Sequence, residues 1–207
     1  ISTYAVDYYQ LLTIQEFNSD LDDNIFDINQ EQELLSYGDG VSFSFGLISK
    51  ISDNIRFGLA YQSPVWYTLT EEFVDYDLEG YESSIDDFFT DYSGVNAYDY
   101  SLKTPAKLTG SFAYIFGKSG LLSLDYSYKN YTNITLGNGN FSSENQQFKT
   151  NLRSAAELRI GTEWRFDNIS IRGGYHIEKS PNNTALQSDN LNGYSVGAGY
   201  KFRGGEI

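Results

Sequence analysis

The sequence predicts an all-β protein, an antiparallel transmembrane β-barrel of which about eight strands lie within these 207 residues. The main observation is a strict alternation of apolar and polar residues, which places them on opposite faces of a strand. A second is that short and long connections alternate along the chain. A third is that the apolar face tends to end in aromatic residues, as at the two interfaces of a membrane barrel.

The alternation recurs along nearly the whole chain. It covers the segments 41–47, 55–62, 107–116, 122–128, 157–166, 169–178 and 194–202, with a weaker candidate at about 3–14. In the clearest segment the apolar series is Leu158, Ile160, Thr162, Trp164 and Phe166, and the polar series is Glu157, Arg159, Gly161, Glu163 and Arg165. Each segment is therefore predicted to be a strand with one apolar and one polar face.

The connections between these strands are predicted to be of two kinds. Residues 52–54, 117–120 and 167–168 are rich in turn formers and predict tight turns. Long polar segments lie near 17–34, 71–98, 134–150 and 180–190, and we expect them to be large loops. Outer-membrane barrels have short turns at one end and long loops at the other.

Composition excludes several classes of protein. The net charge of -14 argues against a nucleic-acid partner, because phosphates attract lysine and arginine. The absence of cysteine excludes disulfides and thiolate zinc sites. No apolar run approaches the roughly 18 residues that a membrane-spanning helix needs.

A soluble β-sandwich would also show alternation, with the apolar face packed in a core. Three features favour the barrel. The polar face is rich in Gly and Ser, which suits a crowded lumen. The apolar face ends in aromatics such as Tyr126, Trp164 and Phe202. Strands of about ten residues are longer than is usual in a sandwich.

The turn at Asp167-Asn168 predicts the register of the strands on either side of it. A two-residue turn places Glu163 opposite Arg172, Arg159 opposite His176, and Glu157 opposite Glu178. Opposite charges that face each other across a strand pair are stabilising, and the Glu157–Glu178 pair needs Arg159 on its diagonal. The residues predicted to line the lumen or to bind ligand are Arg56, Lys107, Glu157, Arg159, Glu163, Arg172, His176 and Glu178.

Catalytic machinery is not expected. His176 is the only histidine and there is no cysteine, so a nucleophile would have a single candidate base. We therefore predict no enzyme, no catalytic residue, no cofactor and no metal. Asp20, Asp22, Asn24 and Glu31 match positions of a calcium loop, but its required Gly is replaced by Ile25, which favours coincidence.

The order of Gly, Pro and aromatic landmarks resembles the FadL-type outer-membrane transporters of long-chain fatty acids and other hydrophobic compounds. The stretches that carry the resemblance are 38–64, 104–108, 124–128, 159–164, 171–175 with Ser180-Pro181, and 195–202. The resemblance implies a fourteen-stranded barrel plugged by an N-terminal hatch. Residues 1–207 match the C-terminal part of that pattern, so we expect the hatch and the closing strands to lie outside this sequence.

The resemblance implies passive transport of hydrophobic small molecules across the bacterial outer membrane, with membrane lipid and a hydrophobic ligand as partners. An alternative is a barrel of the same type that acts as a docking or secretion component and binds a protein partner through its external loops.

Overall fold

The computed structural model describes residues 1–17, 25–82, 87–203 and 205–206. The described residues form fourteen strands, one α-helix and two short 3-10 helices. The first seven strands are β1 (Ser2–Phe17), β2 (Ile25–Ser42), β3 (Ser44–Lys50), β4 (Ile55–Gln62), β5 (Trp66–Glu82), β6 (Asp87–Tyr92) and β7 (Val95–Lys103). The others are β8 (Lys107–Ile115), β9 (Gly120–Asn130), β10 (Thr135–Gly137), β11 (Ser154–Phe166), β12 (Ile169–Glu178), β13 (Leu191–Phe202) and β14 (Gly205–Glu206). Helix α1 is Ser142–Asn151, and the 3-10 helices are Tyr131–Asn133 and Gln187–Asp189.

The strands form two open antiparallel sheets. The eight-stranded sheet, here called the wall sheet, has the order β14-β13-β12-β11-β9-β8-β4-β3. The six-stranded sheet, here called the extension, has the order β1-β2-β5-β7-β10, with β6 paired to β5. The predicted all-β, antiparallel class is confirmed. No helix in the described part of the chain is both long and apolar enough to cross a membrane.

The two sheets meet along a line that we call the seam, formed by Phe43, residues 63–65 and residues 104–106. At the seam β2 leads into β3, β4 into β5, and β7 into β8. Pro64 and Pro105 lie in it and cannot donate a ladder hydrogen bond. Main-chain bonds still cross between the three segments, because Ser63 N donates to Phe43 O over 2.9 Å and Thr104 N donates to Val65 O over 3.0 Å.

Side-chain hydroxyls replace the ladder bonds that are lost at the seam. Ser63 Oγ accepts from Phe43 N over 3.0 Å and donates to Pro64 O over 2.8 Å. Thr104 Oγ1 accepts from Val65 N over 2.9 Å. These bonds satisfy main-chain groups that would otherwise be buried without a partner.

Each of the eight predicted strands coincides with an observed strand or lies across two consecutive ones, and the three tight turns are where we predicted them. Two of the four predicted long loops are wrong. Most of the segment near 17–34 belongs to β2, and the segment near 71–98 contains the end of β5, all of β6 and the start of β7. Tyrosines on neighbouring strands bond the acidic side chains, as when Tyr9 Oη donates to Glu33 over 2.9 Å. Acidic residues can therefore be accommodated in solvent-facing strands, although their low strand propensity disfavours strands in these segments.

The other two long segments are mainly non-strand. The one near 134–150 contains the short strand β10 and helix α1, and the one near 180–190 contains a 3-10 helix. The calcium-like loop at Asp20–Glu31 has its first ligand positions at 20–24, which lie outside the described residues.

We call the face of the wall sheet that carries Glu157 and Glu163 the inner face, and the opposite one the outer face. The outer face holds large apolar side chains that remain exposed, such as Phe45 at 67%, Leu59 at 48% and Tyr126 at 51%. Among the described residues only Val65, Leu69, Val74 and Ala155 are buried apolar side chains. A soluble sandwich of this length requires a far larger core, so that alternative does not describe the chain.

Candidate functional site on the inner face

The predicted register of the hairpin β11–β12 is confirmed. Phe166 pairs with Ile169, which places Glu163 opposite Arg172, Arg159 opposite His176, and Glu157 opposite Glu178. All six charged or titratable side chains of these pairs lie on the inner face. They line one cavity of about 570 Å³ on this face.

Glu163 is held between two arginines. Its Oε2 accepts from Arg172 Nε over 2.8 Å, and its Oε1 accepts from Arg165 Nε over 2.6 Å. Arg165 was absent from the predicted site residues, although the alternation that includes Arg159 and Glu163 also places it on this face. Both contacts with Glu163 are charge-assisted hydrogen bonds, which are roughly twice as strong as hydrogen bonds between neutral groups.

A second ion-pair cluster, centred on Glu157, connects three strands. Lys107 Nζ on β8 lies 3.3 Å from Glu157 Oε2, and Arg159 forms an ion pair with Glu157 Oε1 on the same strand. The side chain of Glu157 is only 9% exposed. Ser127 of β9 lies directly opposite Glu157, and its small side chain leaves room for Lys107 to reach across. Arg159 lies opposite His176 and therefore diagonal to Glu178, as predicted, and its ion pair is with Glu157.

His176 packs on a glycine of the next strand. Gly193 lies directly opposite it on β13, and a Cβ at Gly193 would be only 2.0 Å from His176 Cε1. The imidazole therefore lies across the backbone at Gly193. Within the described ranges no three His, Cys, Asp or Glu side chains are grouped so as to hold a metal ion.

Arg56 is separate from the other predicted site residues. It lines a neighbouring cavity of about 620 Å³ on the inner face, whose wall includes the small residues Gly58, Ala60, Ser111 and Ala113. Asp125 lines both cavities and lies directly opposite Arg159, so it joins them. The alternation in segment 122–128 places Asp125 on the polar face, although it is not among the predicted site residues.

The inner face continues across the seam onto the extension. Tyr4 Oη lies 3.1 Å from Ser42 Oγ on β2, and Gln62 Nε2 on β4 donates to Tyr4 Oη over 3.5 Å. Beyond the seam this face is aromatic. Its ring pairs are Tyr4–Tyr67 at 6.0 Å, Phe73–Tyr98 at 5.4 Å and Tyr100–Phe141 at 6.0 Å between centroids. The sequence did not predict this aromatic surface. Tyr4 lies in a predicted strand, but Phe73, Tyr98 and Phe141 lie in segments predicted to be loops.

Glu71 is a carboxylate within this aromatic surface. It accepts from Ser36 Oγ over 3.3 Å and from Tyr100 Oη over 3.4 Å. Burial, together with the neighbouring Glu71 carboxylate, raises the pKa of the Tyr100 phenol. The phenol is therefore the proton donor in this contact at neutral pH.

The outer face changes character at the seam. Below it, in the wall sheet, the face is apolar and has an aromatic row at each end. Phe43, Tyr61, Trp66 and Tyr128 lie beside the seam, and Tyr114, Phe116, Trp164, Phe166 and Tyr200 lie near the tight turns. Above it, the outer face carries hydrogen-bonded polar groups among scattered apolar residues such as Leu11 and Val95. Tyr37 donates to Glu72 over 2.9 Å, and Thr70 donates to Asp99 over 2.7 Å.

The apolar band has the height of a membrane core. Strands of about ten residues rising about 3.3 Å each and tilted by about 40° span about 25 Å. Phe43 and Trp66 stack at 5.9 Å at the upper limit of this band, and Phe116 and Trp164 are 5.1 Å apart at the lower limit.

No family model matches the chain, and no curated protein sequence matches it. Among solved structures, it is similar to the Pseudomonas putida toluene transporter TodX, with 11% sequence identity and a TM-score of 0.47. The similarity covers 97% of this chain and 61% of TodX. The Ralstonia pickettii toluene transporter TbuX shows 13% identity and a TM-score of 0.46, over 94% of this chain and 60% of TbuX.

A Pseudomonas aeruginosa FadL homologue shows 13% identity and a TM-score of 0.39, over 98% of this chain and 66% of that protein. Its name is that of the family whose landmarks the sequence resembles. The chain spans less than two thirds of the length of each of these three proteins.

Proposed function

We propose that this chain forms part of an outer-membrane β-barrel through which hydrophobic small molecules pass passively. The observation that carries the proposal is the outer face of the wall sheet, an exposed apolar band with an aromatic row at each end. Exposed apolar surface on this scale needs lipid or a partner to cover it. Membrane barrels have this arrangement, with lipid as the partner.

The inner face supports the same proposal. In a narrow lumen, unpaired charges would be costly, and here Glu157 and Glu163 each bond two cations. We propose that these ion pairs brace the barrel wall and that Arg56, His176 and Glu178 line the lumen beside them. Strand-built membrane spans with short turns are typical of the bacterial outer membrane, which is the location we propose.

A hydrophobic ligand suits the surfaces along the inner face. The aromatic surface of the extension lies on the side of the seam away from the tight turns, where a barrel faces the outside. The cavity beside Arg56 is lined largely by small and apolar groups. Ligand sites are typically mostly apolar with a few placed polar groups. Long-chain fatty acids are one class of hydrophobic compound that the sequence resemblance implies, and the test below therefore includes a fatty acid.

Uptake by Gram-negative cells that express the full-length protein tests the proposal. We expect faster initial uptake of radiolabelled decanol or decanoate than in cells with an empty vector. Ala60→Trp would place a bulky ring on the inner face and should lower uptake several-fold. Tyr61→Trp, at an adjacent outer-face position that does not line this cavity, should leave uptake unchanged because lipid accommodates the ring.

Uptake equal to that of vector cells, with the protein folded in the outer membrane, would overturn the transport proposal. That result would favour the docking alternative, in which the external loops bind a protein partner.

A further inference from the structure

Charge is divided sharply between the two sheets. Residues 1–42 and 66–103, which contain all of the extension except β10, hold 19 of the 28 acidic residues and 1 of the 14 basic residues. The rest of the chain holds 9 acidic and 13 basic residues, so the negative net charge comes entirely from residues 1–42 and 66–103. A surface with one sign of charge repels like-charged ligands and slows their association.

On the inner face of the extension, one carboxylate adds a local negative charge to the overall negative charge of this region. On each strand of the extension, every second residue lies on the inner face. Next to the seam these residues run from 4 to 12 on β1, from 34 to 42 on β2, from 67 to 73 on β5 and from 96 to 102 on β7. Glu71 is the one charged residue at these positions, and no lysine or arginine accompanies it. A ligand that follows the aromatic surface therefore passes a carboxylate that has hydroxyl partners and, among the described residues, no cationic partner.

The basic residues of the wall sheet do not cancel the repulsion that an anionic ligand meets at the extension. Lys107 and Arg159 bond Glu157, and Arg165 and Arg172 bond Glu163. An anion would have to cross the extension before it could meet any of them.

We propose that the extension selects ligands by charge and that Glu71 is its specificity-determining residue. Uncharged hydrophobic compounds pass Glu71, and anionic amphiphiles are held back. This inference rests on the proposed function, which it narrows from hydrophobic compounds in general to uncharged ones.

Adjacent residues provide a matched pair of variants. Glu71→Gln removes the inner-face carboxylate, and Glu72→Gln removes an outer-face carboxylate that likewise accepts from a tyrosine. Both variants lose one charge from the same strand. Decanol, decanoate and decylammonium serve as probes because they have the same chain length and differ in charge.

The readout is initial uptake by cells that express equal amounts of folded full-length protein, after subtraction of vector cells. Glu71→Gln should raise the ratio of decanoate uptake to decanol uptake by about fivefold. That factor corresponds to the repulsion between two unit negative charges about 4 Å apart in water. It should lower decylammonium uptake relative to decanol uptake. Glu72→Gln should change both ratios by less than twofold, about the effect of a single exposed, screened charge.

Equal effects of the two variants, or an unchanged decanoate ratio in Glu71→Gln, would overturn the role of Glu71. In either case decanol uptake above that of vector cells would leave the proposed function standing. If none of the three probes exceeds vector cells, the proposed function fails and the charge selection fails with it.

Discussion

Arg172 of β12 lies directly opposite Glu163 of β11, and its Nε donates to Glu163 Oε2 over 2.8 Å. The two residues are joined through a turn at Asp167-Asn168, where Asp167 adopts a left-handed φ of 51°. Aspartate tolerates that conformation better than most residues. A two-residue turn leaves one register for the hairpin, so a local feature of the chain determines which charges meet on the inner face.

Labelling of introduced cysteines should locate the membrane limit at the seam. The chain has no cysteine, so single-cysteine variants need no prior substitution. Leu59 and Thr68 both have exposed side chains on the outer face, below and above the seam. In intact membranes, Thr68→Cys should react with a water-soluble maleimide, and Leu59→Cys should react at least tenfold more slowly because lipid covers it. Equal rates at the two positions would contradict the proposed membrane band.

Removal of Glu157 should destabilise the wall sheet. Glu157→Ala leaves Lys107 and Arg159 without their shared carboxylate and should lower the free energy of unfolding by about 2 kcal/mol. Glu178→Ala, which removes the like charge directly opposite, should be neutral or slightly stabilising. Urea unfolding of the full-length protein in lipid vesicles measures both, and a larger loss for Glu178→Ala would refute this account.

Gly193 should tolerate no side chain while His176 is present. Gly193→Ala should cost about 1–3 kcal/mol of unfolding free energy because its Cβ would overlap the imidazole. Gly197→Ala, on the same strand and face, should have little effect because its Cβ would make an ordinary contact at 3.8 Å with Arg172 Cβ. The variant His176→Ala should reduce the cost of Gly193→Ala, and a double-mutant cycle without coupling would show that the two residues do not clash.

The hydroxyls at the seam should be required for stability. Thr104→Val keeps the shape of the side chain but removes the acceptor for Val65 N, and should cost about 1–3 kcal/mol. Thr104→Ser retains the acceptor and should cost clearly less. Thermal unfolding of the two variants side by side measures the difference, and equal midpoints would mean that the hydroxyl bond contributes nothing.

Most of the wall sheet could be predicted from local patterns. A period of two assigns each side chain of a strand to a face, and this placed all eight predicted site residues on one face. The strands in the two segments wrongly predicted to be loops were missed because Asp and Glu disfavour strands by propensity. In the structure the β2–β5 ladder supplies tyrosine and serine partners for these acidic side chains.

Local patterns are enough to assign the residues of the wall-sheet strands, the face that each side chain occupies, and the register across the shortest turn. These properties depend on residues within a few positions of one another. Three relationships come from the folded arrangement instead: Lys107 meets Glu157, two prolines align in one seam, and Glu71 lies on the inner face while Glu72 lies on the outer face. Those relationships depend on which distant strands pair and on the residue at which the pairing is interrupted, and neither follows from a local period.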